Sequence, residues 1–193
     1  MSKVALTLGL LTGISWATLA LAADPFAKGV TEWSFSVGYG DNFGTSLRGG
    51  NVQEDVKFVP FLASWGKVFK KRASGVSLGY AVEGFFSHAK QESVDRSAVG
   101  ITPLFVYNFK TRKKLTPYAE MGIGIVFTDL DPEGFGSDFG FTPQAGIGIR
   151  YAIGHDRFLK FSYRYHHLSN AGLKDDNKSI DSNFFLIGYS FLR

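Results

Sequence analysis

From Thr31 to Phe191 the chain repeats one pattern, in which bulky apolar residues alternate with small or polar ones and turn-rich joints separate the segments. A period of two sends successive side chains to opposite faces of an extended strand, so each segment has one apolar face. Trp33, Phe35, Val37 and Tyr39 alternate with Glu32, Ser34, Ser36 and Gly38, which makes Thr31 to Gly40 a first strand. Val56 to Gly66 is a second and less regular one. Val76 to Phe86, Val99 to Phe109, Ala119 to Thr128 and Phe141 to Tyr151 follow with the same alternation. Lys160 to His167 and the stretch leading to Phe191 close the series, giving eight strands.

Segments of about ten residues alternating in this way are the signature of a transmembrane β-barrel, for which eight is the smallest common strand number. A soluble barrel would turn its apolar faces inward. Here those faces carry large aromatics in nearly every strand, more volume than the interior of eight strands holds. The opposite faces carry Gly, Ser and Thr with Glu32, Glu83, Glu120, Arg150, Lys160 and Arg164. These charges would make a poor dry core but could neutralise one another in a narrow lumen. The expected fold is therefore an all-β, eight-stranded antiparallel barrel with its greasy faces in lipid. Pro103 and Pro143 fall on the outward face, where a missing N–H predicts a local irregularity in the ladder.

Residues 1–22 read as a signal peptide: Met1-Ser-Lys3 is a short basic start, Val4 to Leu19 is apolar, and Ala20-Leu-Ala22 offers small residues for cleavage before Ala23. Residues 23–193 are then one exported barrel domain. With no cysteine, neither a disulfide framework nor a thiolate metal site is available. The net charge of +4 is too small to argue for nucleic acid, and the basic runs Lys67 to Arg72 and Lys110 to Lys114 read as solvated turns near anionic head groups. With the N-terminus in the periplasm, Lys67 to Ser74, Lys110 to Lys114 and Ile153 to Asp156 are periplasmic joints. The joints Asp41 to Asn51, Ala89 to Arg96, Asp129 to Asp138 and Asn170 to Ser179 are extracellular and mostly longer.

The seventh strand breaks the apolar rule at its outer end. Phe161, Tyr163 and Tyr165 share a face, and continuing their parity puts His167 and Ser169 on that greasy face. Desolvating a histidine and a serine there has no evident structural return. Asp181 shares parity with Phe185, Ile187, Tyr189 and Phe191. A hairpin with its tip near Lys174 places His167 opposite Asp181, with Cβ atoms roughly 5 Å apart. Ser169, His167 and Asp181 would then form a row of nucleophile, base and orienting acid, a constellation recognised by geometry and not by chain order. His166, of opposite parity, points into the lumen, where a hydrogen bond to an acid is its expected role.

The run His167-Leu-Ser-Asn-Ala-Gly-Leu-Lys174, with Asn177 and an acid at 181, resembles the signature of the PagL-type lipid A 3-O-deacylases. The likeness extends more loosely through Pro103 to Phe109 and Pro117 to Gly124. It implies a small outer-membrane barrel esterase in which Ser169, His167 and Asp181 are catalytic, although the family's acid is usually Glu and Asp181 is one methylene shorter. Asn170, Gly172 and Asn177 flank the row as oxyanion or positioning groups, or as caps of the loop. The implied substrate is lipid A within lipopolysaccharide, surrounded by outer-membrane lipid, with no metal or organic cofactor. A homodimer is compatible with this reading. The alternative is a non-catalytic small outer-membrane barrel with a structural or adhesion role.

Overall fold

The computed structural model describes residues 25–43, 55–131, 134–176 and 178–193, so the leader read at residues 1–22 lies outside the described residues. Eight antiparallel strands form one closed barrel: β1 (Thr31–Asn42), β2 (Val56–Lys71), β3 (Ser77–Gln91), β4 (Val94–Asn108), β5 (Leu115–Thr128), β6 (Phe139–Ala152), β7 (Arg157–Leu168) and β8 (Ile180–Leu192). Closure is made by β1 on β8, in register from Glu32 opposite Leu192 to Asn42 opposite Ser182.

Two strand ends differ from the hydropathy reading. β2 runs on through the basic residues to Lys71, past a register shift between Val68 and Lys70. β3 and β4 continue to Gln91 and Val94, so only Glu92 and Ser93 join them, where the alternation predicts a longer outer loop. The cause is the same in both places. Past the apolar belt the outward residues are charged or polar, as at His88 and Lys90, while Ala89 and Gln91 stay buried inside. Side-chain parity and backbone pairing therefore outlast the hydrophobic signal.

The outward face is apolar around the barrel. Ile123 is 62% exposed, Ile147 64% and Phe185 59%, together with Trp33, Phe61, Phe105, Phe127 and Phe161. Such a continuous belt on a closed sheet is a lipid-facing surface. Both prolines interrupt a ladder, as their missing N–H groups require. The β4–β5 pairing skips from Ile101–Ile125 to Leu104–Gly122 around Pro103. The β6–β7 pairing stops at Gln144–His166 and returns only as the bridge between Phe141 and Ser169, so by register Pro143 faces His167.

The lumen is filled in three layers. At its centre Arg164 binds Glu83, Glu120 at 2.6 Å and Gln144 at 2.8 Å. Toward the end where β1 starts and β8 finishes, Arg150 makes two 2.8 Å bonds to Glu32 and one of 2.9 Å to Asn108, with its guanidinium 4.0 Å from the Tyr118 ring centre. The outer third is apolar, which corrects the reading of the lumen as polar. Phe58, Leu62, Phe85, Leu168, Phe184 and Leu186 pack there with Leu130 and Phe135 from the β5–β6 connection. His166 lies in this layer, its ring packed against Phe85 at 5.7 Å and Phe184 at 4.9 Å, while those two rings also stack on each other at 6.3 Å. It binds no acid among the described residues; the pairing acids lie deeper, on Arg164.

Arg164 bridges Glu83 and Glu120, and removing one member of a buried ion cluster leaves an uncompensated charge. Arg164→Ala should therefore cost about 3–5 kcal/mol, read by urea unfolding of the barrel refolded in vesicles. Adding Glu83→Gln and Glu120→Gln should recover much of that loss.

Candidate active site

The β7–β8 register sets Leu168 against Ile180 and His167 against Asp181, the opposition that hairpin length and parity predict. One position further, Ser169 leaves β8 and is tied to β6 instead, where its N–H binds Phe141 O at 3.2 Å and its carbonyl accepts from Phe141 N at 2.8 Å. Gly140 makes this approach feasible, because a Cβ there would lie 2.6 Å from the Leu168 side chain and 3.0 Å from Ser169 O.

The three side chains form a continuous row. His167 Nε2 is 3.1 Å from Ser169 Oγ, and His167 Nδ1 is 2.5 Å from Asp181 Oδ1. With the imidazole neutral and protonated at Nδ1, Nδ1–H donates to the carboxylate and Nε2 accepts from the serine hydroxyl. Such an arrangement can take up a hydroxyl proton and stabilise the imidazolium that results. Asp181 is wholly buried although it lies on the outward face. Among the described residues its Oδ2 has no hydrogen-bond partner.

Asn170 and Gly172 shape the loop that follows β7. Asn170 is fully buried, and its Nδ2 donates to Phe135 O at 2.9 Å and to Asp176 O at 2.5 Å. Its Oδ1 accepts from Gly172 N at 2.9 Å, an Asx turn within the β7–β8 loop, while the bond to Phe135 O braces that loop against the β5–β6 loop. Gly172 has φ +82, a left-handed conformation that glycine adopts without strain. Asn177 lies outside the described residues. Among the described residues no group of three or more His, Cys, Asp or Glu could hold a metal ion.

One residue of this cluster is missed by the sequence reading. Tyr165, two positions before His167 on the same face, donates from its hydroxyl to Asp181 Oδ1 at 2.7 Å. Its ring packs on Phe43 at 6.1 Å, and Phe43 N–H in turn binds Asp181 O at 3.0 Å. The signal that could have found it is the diagonal: Tyr165 faces Asn183, two residues from Asp181, which is within an aromatic side chain's reach.

Residues 31–190 match the family described as lipid A 3-O-deacylase (PagL). Lipid A deacylase PagL of Pseudomonas aeruginosa is 30% identical over 122 residues, which cover 61% of this chain and 68% of that protein. Among solved structures, the crystal structure of the outer membrane enzyme PagL aligns with a TM-score of 0.60 at 24% identity, covering 83% of this chain and 98% of that one. Neisserial surface protein A aligns equally well, with a TM-score of 0.60 at 20% identity over 85% of this chain and 97% of its own, a likeness of fold. With a closed eight-stranded barrel, an apolar outer belt and a family match spanning most of its strands, this chain belongs to the lipid A 3-O-deacylase (PagL) family of outer-membrane enzymes.

Proposed function

We propose that the chain, exported by a leader ending at Ala22, hydrolyses the ester that links an acyl chain to the 3-position of lipid A, with Ser169 as nucleophile, His167 as general base and acid, and Asp181 as the orienting acid. The observation that carries this reading is the unbroken row Ser169–His167–Asp181 on the lipid-facing side, at the outer end of β7 and β8. A site there meets lipopolysaccharide in the outer leaflet without drawing it into the barrel. The lumen is filled beneath it by Phe135, Phe58 and Phe184.

Ser169 Oγ attacks the ester carbonyl as its proton passes to His167 Nε2, and the imidazolium is held against the Asp181 carboxylate. Collapse of the tetrahedral intermediate breaks the bond to the sugar 3-oxygen, which takes the proton back from His167. Water, activated by the same imidazole, then releases the fatty acid from Ser169. The leaving acyl chain stays in the bilayer throughout. A shallow hollow on the outer face, lined by Phe105, Met121, Ala145, Ile147 and Tyr163, is an apolar bed for such a chain. Asn170 and Gly172 serve by shaping the loop, and Asn177, the other asparagine of the family-like motif, is the side-chain donor assigned to the oxyanion. All three reacting groups come from one chain, so a homodimer is not required for the chemistry.

In a Gram-negative host, expression of the wild type should remove one 3-hydroxyacyl group from lipid A by mass spectrometry. Ser169→Ala, at equal levels of heat-modifiable folded barrel, should remove none. A lipid A profile unchanged by inserted wild type, across several lipid A types, would sink the enzymatic reading and favour the non-catalytic barrel.

The two adjacent histidines give a sharper test, because one faces lipid and the other the lumen. His167→Ala should lower turnover by roughly 10³-fold or more. His166→Phe, which keeps an aromatic ring in the cluster with Phe85 and Phe184, should keep most activity. Asp181→Asn should lower turnover by up to about 10⁴-fold with the barrel still folded, whereas Asp175→Asn and Asp176→Asn, both exposed in the loop, should behave like wild type.

A further inference from the structure

We infer that Tyr165 is a positioning residue for the deacylation reaction, acting through Asp181, and that the hydrogen-bonded unit is Ser169–His167–Asp181–Tyr165. The inference rests on the assignment of Ser169, His167 and Asp181 proposed above.

The geometry behind it is the sharing of one oxygen. Asp181 Oδ1 accepts from His167 Nδ1 at 2.5 Å and from Tyr165 Oη at 2.7 Å, while Oδ2 is buried without a partner among the described residues. A carboxylate with a single donor could rotate about Cβ–Cγ and offer His167 either oxygen. Two donors converging on Oδ1 from the same strand fix which oxygen faces the imidazole. They also disperse the negative charge of a group with no exposed surface. Charge-assisted hydrogen bonds of this kind are about twice as strong as neutral ones.

The phenol is itself held in place. Tyr163 and Tyr165 both lean one residue pair toward the outer end, Tyr163 onto Asn183 Oδ1 at 2.5 Å and Tyr165 onto Asp181. Phe43 flanks the Tyr165 ring, and Ala145, opposite Tyr165 on β6, leaves room beside it. A tyrosine that merely faced lipid would have no need to point its hydroxyl at a buried acid.

Tyr165→Phe is the test, since it removes the hydroxyl and keeps the ring and its packing on Phe43. Deacylation kinetics of wild type, Tyr165→Phe and Ser169→Ala are measured on detergent-dispersed lipopolysaccharide, normalised to folded barrel by heat-modifiable mobility. Turnover by Tyr165→Phe should fall roughly 10- to 100-fold while KM stays within about twofold of wild type, the pattern of a group that acts only on the reacting machinery. An unchanged kcat in the folded variant would reduce Tyr165 to a lipid-facing aromatic. A raised KM at unchanged kcat would make it a substrate contact instead, and either result overturns the inference. Wild-type turnover by Ser169→Ala would instead sink the underlying site assignment, so the two failures are distinguishable.

Discussion

A chain that crosses lipid has to satisfy every backbone N–H and C=O from within itself, because the hydrocarbon offers neither donor nor acceptor. In this protein the pairing of β1 with β8 meets that demand, running without a skipped position from Glu32–Leu192 to Asn42–Ser182. Once the sheet is closed, each side chain has only two destinations. Odd residues of β7 face lipid and even ones face the lumen, and the whole chemistry of the molecule is sorted by that parity.

The sorting separates two sets of ionisable groups. Inside, Arg164 with Glu83 and Glu120, and Arg150 with Glu32, neutralise one another among hydroxyls and aromatic rings and hold the strands together. Outside, His167 and Asp181 pair with each other on the lipid face. A substitution in the first set therefore bears on folding, and one in the second on the proposed reaction. His166 and His167 are neighbours in sequence and belong to different faces.

Parity and hairpin length are enough to read the eight strands, the direction of each face and the opposition of His167 to Asp181. What they cannot supply depends on contacts between distant parts of the chain. The lumen position of His166 follows from its parity, but its stacking requires Phe85 and Phe184 to meet across the barrel. Asn170 looks like an oxyanion donor as readily as a loop brace until Phe135, 35 residues upstream, is seen to accept its amide. Strands ending at Gln91 and Lys71 read short in the sequence because hydropathy marks the thickness of the lipid and not the length of the ladder. Tyr165 is hidden by its surroundings: on a face crowded with aromatics one more carries no signal, and only its hydroxyl sets it apart.

The burial of Asp181 follows from the same local architecture. A carboxylate on the outside of a membrane barrel would ordinarily reach for water, yet this one has no exposed surface. At the edge of the bilayer the local dielectric is low, which strengthens its attraction to an imidazolium and raises the penalty for leaving it unpaired. The aromatic cover of Tyr165 and Phe43 creates that environment, and the phenol hydroxyl offsets part of its cost. Pro143, opposite His167, contributes by removing a ladder N–H where the strand passes from regular pairing to the single bridge that carries Ser169. The outer end of β7 thus departs from ideal sheet at the residues of the proposed row, while the ladders of β7 with β6 and β8 below it stay regular and supply the rigidity against which the three groups are aligned.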